Sequence, residues 1–152
     1  GFDDRCALYL RVLNDLWAVD EGLNSDITML SVDLSQTGLS DSEQAAVAWV
    51  FGGMHDISET MTMSYEELAA EGYLSDTAPE VDGIPHWKDG CLVTITEQET
   101  GDYELNGARN TVTFDAQKWR SALGAYFFTD CTASRDAQGH WGDYTVGAAA
   151  IS

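Results

Sequence analysis

The hydrophobic period of this chain is mainly helical before Cys91 and strand-like after it, and that change limits the folds open to it. From about Asp3 to Val19, Cys6, Leu10, Leu13 and Trp17, joined by Tyr9 and Leu16, recur at three- and four-residue spacing. That is the period of an amphipathic helix. Asp3 and Asp4 suit its positive start, and Gly22 and Asn24 supply a stop. Ser40 and Glu43 then form an S-x-x-E capping box, which satisfies two backbone donors reciprocally. Behind it Ala46, Val47, Val50, Phe51 and Met54 make the apolar stripe of a second helix. Ser64 and Glu67 repeat the box ahead of a third, shorter helix, with Leu68 as its anchor and Gly72 at the left-handed C-cap.

After Cys91 the period becomes two. Leu92, Thr94 and Thr96 oppose Cys91, Val93 and Ile95, as alternate faces of a strand require. Asn110–Phe114, Tyr126–Thr132 and Trp141–Ile151 read as three further strands, with turn signals at Gly101–Asp102 and Gln138–His140. Close spacing predicts antiparallel hairpins. Asp115–Gly124 reads either as a helical turn, capped by Asp115 and ended by Gly124, or as part of one long strand from Lys118 to Phe128, and a short turn followed by the strand is the preferred reading. The expected fold is therefore α+β: two to three N-terminal helices packed on a curved antiparallel sheet of about four strands. Two segments sit outside that scheme. Ile27–Leu34 alternates like a strand with Thr28, Leu30, Val32 and Leu34 on one side, and residues 74–89, which hold Pro79 and Pro85, read as a long loop.

At 152 residues the chain is expected to be a single domain, 1–152. It has no apolar run of the roughly 20 residues a membrane span needs. Its charge is strongly uneven. There are 26 acids against 7 bases, a net charge of −19, and residues 12 to 87 hold fifteen acids and no Lys or Arg. A general nucleic-acid binder needs a basic face, so that class is excluded. The acids serve either as a solvating surface or as a face for a basic partner. The chain begins at Gly1, which fits either a processed precursor or a trimmed chain. The expectation is an exported bacterial protein, extracellular or at the cell surface. Cys6, Cys91 and Cys131 form no CxxC pattern, so a zinc site is not expected. They read as buried hydrophobes, with Cys91–Cys131 the pair open to a disulfide.

Helices ahead of a curved antiparallel sheet, closed by the turn Gly139–Trp141, resemble the cystatin-like cone of NTF2-like domains. The resemblance implies a pocket between helices and sheet. It carries over no residue and does not choose among binding, isomerisation and dehydration.

Motifs for common chemistries are absent: no GxSxG, HExxH, Walker loop, GxGxxG or EF-hand spacing. No catalytic residue, cofactor or metal is expected. His55, Asp56 and Glu59 lie close together, but a third protein ligand cannot be identified. The candidate ligand-binding residues are His86, Trp87, Arg120, Tyr126, Trp141 and Tyr144. His86 can move a proton near neutral pH, and Trp87 can stack on a ligand or plug the core. Arg120 can clamp a carboxylate or phosphate, or pair with an acid from the helices. Tyr126, Trp141 and Tyr144, with Phe127 and Phe128, can line an apolar cleft. Asp130 and Tyr144 are the acid and phenol available for acid–base chemistry of the kind a pocket isomerase uses. The reading that results is a non-enzymatic acidic binding module for a small molecule or a protein. Its alternatives are a small acid–base enzyme and an acidic inhibitor or immunity-type protein for a basic partner.

Overall fold

A computed structural model describes residues 5–77, 82–98 and 110–152, except the side chains at 76, 77, 82 and 83. Three helices are present among them, α1 (Arg5–Ala18), α2 (Asp41–Met54) and α3 (Tyr65–Ala70). Eight strands form one sheet: β1 (Met29–Gln36), β2 (Glu59–Met61), β3 (Ser75–Thr77), β4 (Asp82–His86), β5 (Gly90–Glu97), β6 (Thr111–Ser121), β7 (Gly124–Ser134) and β8 (Ala148–Ile151). The chain is α+β, but the sheet is larger than four strands and is mixed. Its main path runs β2-β1-β5-β6-β4-β3, with β7 on β6 and β8 on β7. β1 pairs parallel with both β2 and β5, and the other pairings are antiparallel.

Both capping boxes form. Each serine side chain accepts from the N3 amide, and each N3 glutamate accepts from the serine amide. Gly72 has φ +83°, the conformation its C-cap position demands. The stripe on α2 is phased differently from expectation. Val47, Ala48 and Phe51 are buried, whereas Val50 and Met54 face outward.

Sheet alternation decides what lies on each face. Leu30, Val32 and Leu34 of β1 join Cys91, Val93 and Ile95 of β5 under α1 and α2. Leu8, Tyr9, Leu13 and Leu16 of α1 and Val47 and Phe51 of α2 complete that core. A second cluster gathers Leu68 of α3 with Trp87, Leu92, Trp119 and Ala125. β1 is covered on both sides, because Ser31 and Asp33 are buried as well. Buried polar groups need partners. The Ser31 hydroxyl donates to the Met63 carbonyl at 2.6 Å, and Asp33 accepts from the amide and hydroxyl of Ser35.

Three further expectations are corrected. Residues 74–89 contain β3 and β4, an antiparallel pair, rather than only loop. Asp115–Gly124 holds no helical turn: β6 runs through Ser121, so the strand reading holds from Lys118, but the chain turns at Ala122–Leu123 into β7 instead of continuing as one strand to Phe128. Pairing on both edges of β6 overrides the local helix preference. Trp141–Ile151 is strand only from Ala148; before that, single bridges join Arg135 to Trp141 and Thr132 to Thr145. The turn at Gly101–Asp102 lies outside the described residues, as do Asp3 and Asp4.

Lys118 ties the two halves together. It is fully buried on β6, and its ammonium donates to the carbonyls of Trp17, Val19 and Asp20 and to Asn24 Oδ1. A cation suits the negative end of a helix, here the end of α1. Burial pulls its pKa below the ordinary lysine value.

Candidate binding surfaces

The six sequence-derived candidates fall in separate places. Trp87 and Arg120 are neighbours. The Trp87 indole is buried against Gly90, where a Cβ would meet it at 2.1 Å. The Trp87 amide donates to the Arg120 carbonyl at 2.8 Å. Arg120 in return donates to the carbonyls of Trp87, Lys88 and Ser25. The expectation that Arg120 pairs with an acid is replaced: its planar fork fastens a turn to the sheet through backbone oxygens. His86 precedes them, half-buried on β4 opposite Ser121, with Nδ1 buried and without a hydrogen-bond partner among the described residues.

Trp141 is buried in the main core, where the Arg135 guanidinium lies 5.9 Å from its ring. Its Nε1 also has no partner among the described residues. Tyr126 packs half-buried, edge-on to Phe128 at 5.9 Å. Phe127 belongs with the second cluster, while Phe128 and Trp141 lie in the first. The aromatic set is thus divided between the two cores rather than gathered around one cleft.

Tyr144 does line a cleft, on the outer face of α1. The cleft has a volume of about 580 Å³ and is bordered by Arg11, Asn14, Asp15, Asp143, Tyr144 and Val146. Tyr144 donates to Asp15 Oδ2 at 2.6 Å. Burial and that bond raise its pKa above the ordinary phenol value, so it stays a hydrogen-bond donor at neutral pH. Its acid is therefore Asp15 and not Asp130. Asp130 sits at φ +52° and accepts from Gln98. Arg11 is held by the carbonyls of Trp141 and Gly142, at 3.1 and 3.0 Å, and pairs with Asp143 at 3.4 Å.

A second depression was not among the sequence candidates. Trp49, Val50 and Met54 on α2 are 78%, 41% and 55% exposed. With Gly53, Ile57, Ser58 and Thr60 they border a groove of about 500 Å³ that leads to β2. Asn14 links the two depressions, since its amide donates to Met54 Sδ at 3.6 Å and its oxygen lies 2.8 Å from His55 Nε2. His55 packs against Trp17 and Phe51. Burial lowers its pKa, against the opposing effect of Asp56. The sequence signal for this face is the lack of any charged residue between Glu43 and His55. A helix apolar on all sides belongs between two covered surfaces.

Among the described residues no group of His, Cys, Asp and Glu is placed to hold a metal ion, and His55, Asp56 and Glu59 form none. No disulfide joins any of Cys6, Cys91 and Cys131. Burial pushes the thiols of Cys91 and Cys131 up to about 12, which makes them poor nucleophiles. No described helix is long and apolar enough to cross a membrane. No family model matches the chain, and no curated protein or solved structure matches it either.

Proposed function

We propose that this protein is a non-enzymatic binding module whose partner is a basic protein, and that the outer face of α2 is the contact surface. The observation that carries the proposal is Trp49, 78% exposed beside Val50 and Met54, within a stretch of fifteen acids and no Lys or Arg. Exposed tryptophan beside other apolar side chains is the composition of an interface centre. Acids around such a centre steer and select a basic partner. The packing of α1 and α2 on one face of the sheet supports the cystatin-like, NTF2-like reading of the architecture, while α3 on the opposite face and the parallel run β2-β1-β5 depart from it. The pocket that this resemblance implies is not used in the proposal, because side chains such as Leu8, Leu13, Phe51 and Phe114 fill that space.

The test is a Trp49→Ala variant. It removes an exposed side chain, so folding is expected to be unchanged by circular dichroism. Association with a basic partner is expected to fall by at least about tenfold and to weaken steeply with salt. Binding that is insensitive to both the variant and salt would sink this reading.

A further inference from the structure

Resting on the reading of α2 as a contact face, we infer that the partner meets it as an extended basic segment. The segment adds a strand to the outer edge of β2 and seats an apolar side chain over Gly53. β2 ends the sheet path, paired with β1 alone among the described residues. Its outer edge offers backbone donors and acceptors to an added strand.

The groove has one wall from Trp49, Val50 and Met54 on α2 and the other from Ile57, Ser58 and Thr60, which lead into β2. The chain passes from α2 to β2 through residues 55–58 only, so the two walls stand close. A helix with side chains is about 10–12 Å across. An added strand needs only about 4.8 Å beside its neighbour, so the space suits a strand.

Two adjacent glycines separate what the fold needs from what it does not. A Cβ on Gly52 would meet Thr60 Oγ1 at 2.1 Å, so the contact between α2 and β2 requires glycine there. A Cβ on Gly53 would meet nothing within 4 Å. Glycine in an exposed helical turn weakens the helix, and its gain is room for another chain to approach closely.

Charge selects among occupants. Asp56 and Glu59 are exposed on either side of Ile57 and Ser58, and no Lys or Arg lies between residues 12 and 87. A second copy would set these carboxylates against themselves, whereas a segment alternating Lys or Arg with apolar residues would place its cations on them.

The experiment pans a library of short random peptides on the intact protein, with Trp49→Ala as counter-target, and measures the selected peptides by calorimetry. We expect selected sequences to alternate basic and apolar residues. We expect Trp49→Ala and Gly53→Leu, both folded by circular dichroism, to weaken them at least about tenfold. N-methylation of alternate peptide amides, which removes strand hydrogen bonds, is expected to abolish binding in one register and spare it in the other. Selected peptides with helical three- and four-residue spacing, or binding indifferent to N-methylation in both registers, would overturn strand addition and leave the α2 face standing. No enrichment, or peptides that bind Trp49→Ala equally well, would overturn both. A dimer by sedimentation that Trp49→Ala dissolves would replace the basic partner with a second copy.

Discussion

Lys118 places a full charge where no water reaches it, and its worth can be measured by deletion. Replacing it with Met leaves three carbonyls and the Asn24 amide oxygen without their shared donor. Lys118→Met is expected to cost about 3 kcal/mol, read from urea unfolding midpoints. His55 gives a pH signature. Its folded-state pKa lies below the ordinary value of 6.5, so on acidification the unfolded chain takes up its proton first. Its contribution is complete above pH 6.5 and is lost as pH falls through the folded value. Thermal scans of the native protein and of His55→Gln are expected to converge as pH drops from 7 toward 5. Parallel curves would contradict that protonation cost. Strand alternation put Lys118 and Arg120 on one side and Trp119 on the other, and the contacts agree. The acceptors could not be read that way, because all but the Asn24 amide oxygen are backbone oxygens, and all come from segments about a hundred or about thirty residues away in the chain.

Elements whose evidence is local are the ones legible in the sequence. Ser40 and Ser64 are three residues from their glutamates, so both helix starts follow from chemistry contained in four residues. Ser40→Ala is expected to cost about 1 kcal/mol, measurable by chemical denaturation. α2 was legible as a helix but not in its orientation. Ala46, Val47, Val50, Phe51 and Met54 share one face, but the run from Ala45 to Phe51 is apolar without a break, so the opposite side is apolar too and periodicity cannot choose between the faces. The same holds for β1. Its alternation showed Leu30, Val32 and Leu34 facing one core, yet nothing local tells that the strand lies between β2 and β5 and runs parallel to both. The candidate site suffered most from this limit. Tyr144 bonds Asp15 and not Asp130, and the exposure of Trp49 cannot be read locally because a tryptophan among apolar neighbours looks like core until its surroundings are known.

The whole molecule carries −19, and a charge of that size works against compactness. Screening should relieve it, so raising sodium chloride from low concentration is expected to raise the melting temperature while weakening any basic ligand. Opposite responses in the two measurements would distinguish self-repulsion from attraction to a partner. The grip of Lys118 on the end of α1 also bears on how the chain is made. A ribosome adds about 5–20 residues per second, so α1 emerges roughly 5–20 seconds before the ammonium that secures it. Over the same interval β1 has only the three residues of β2 as a sheet neighbour, until β5 is made. The N-terminal half therefore spends its early life as unfinished apolar surface. The acids spread through residues 12–87 are, in that interval, what keeps one nascent chain from another.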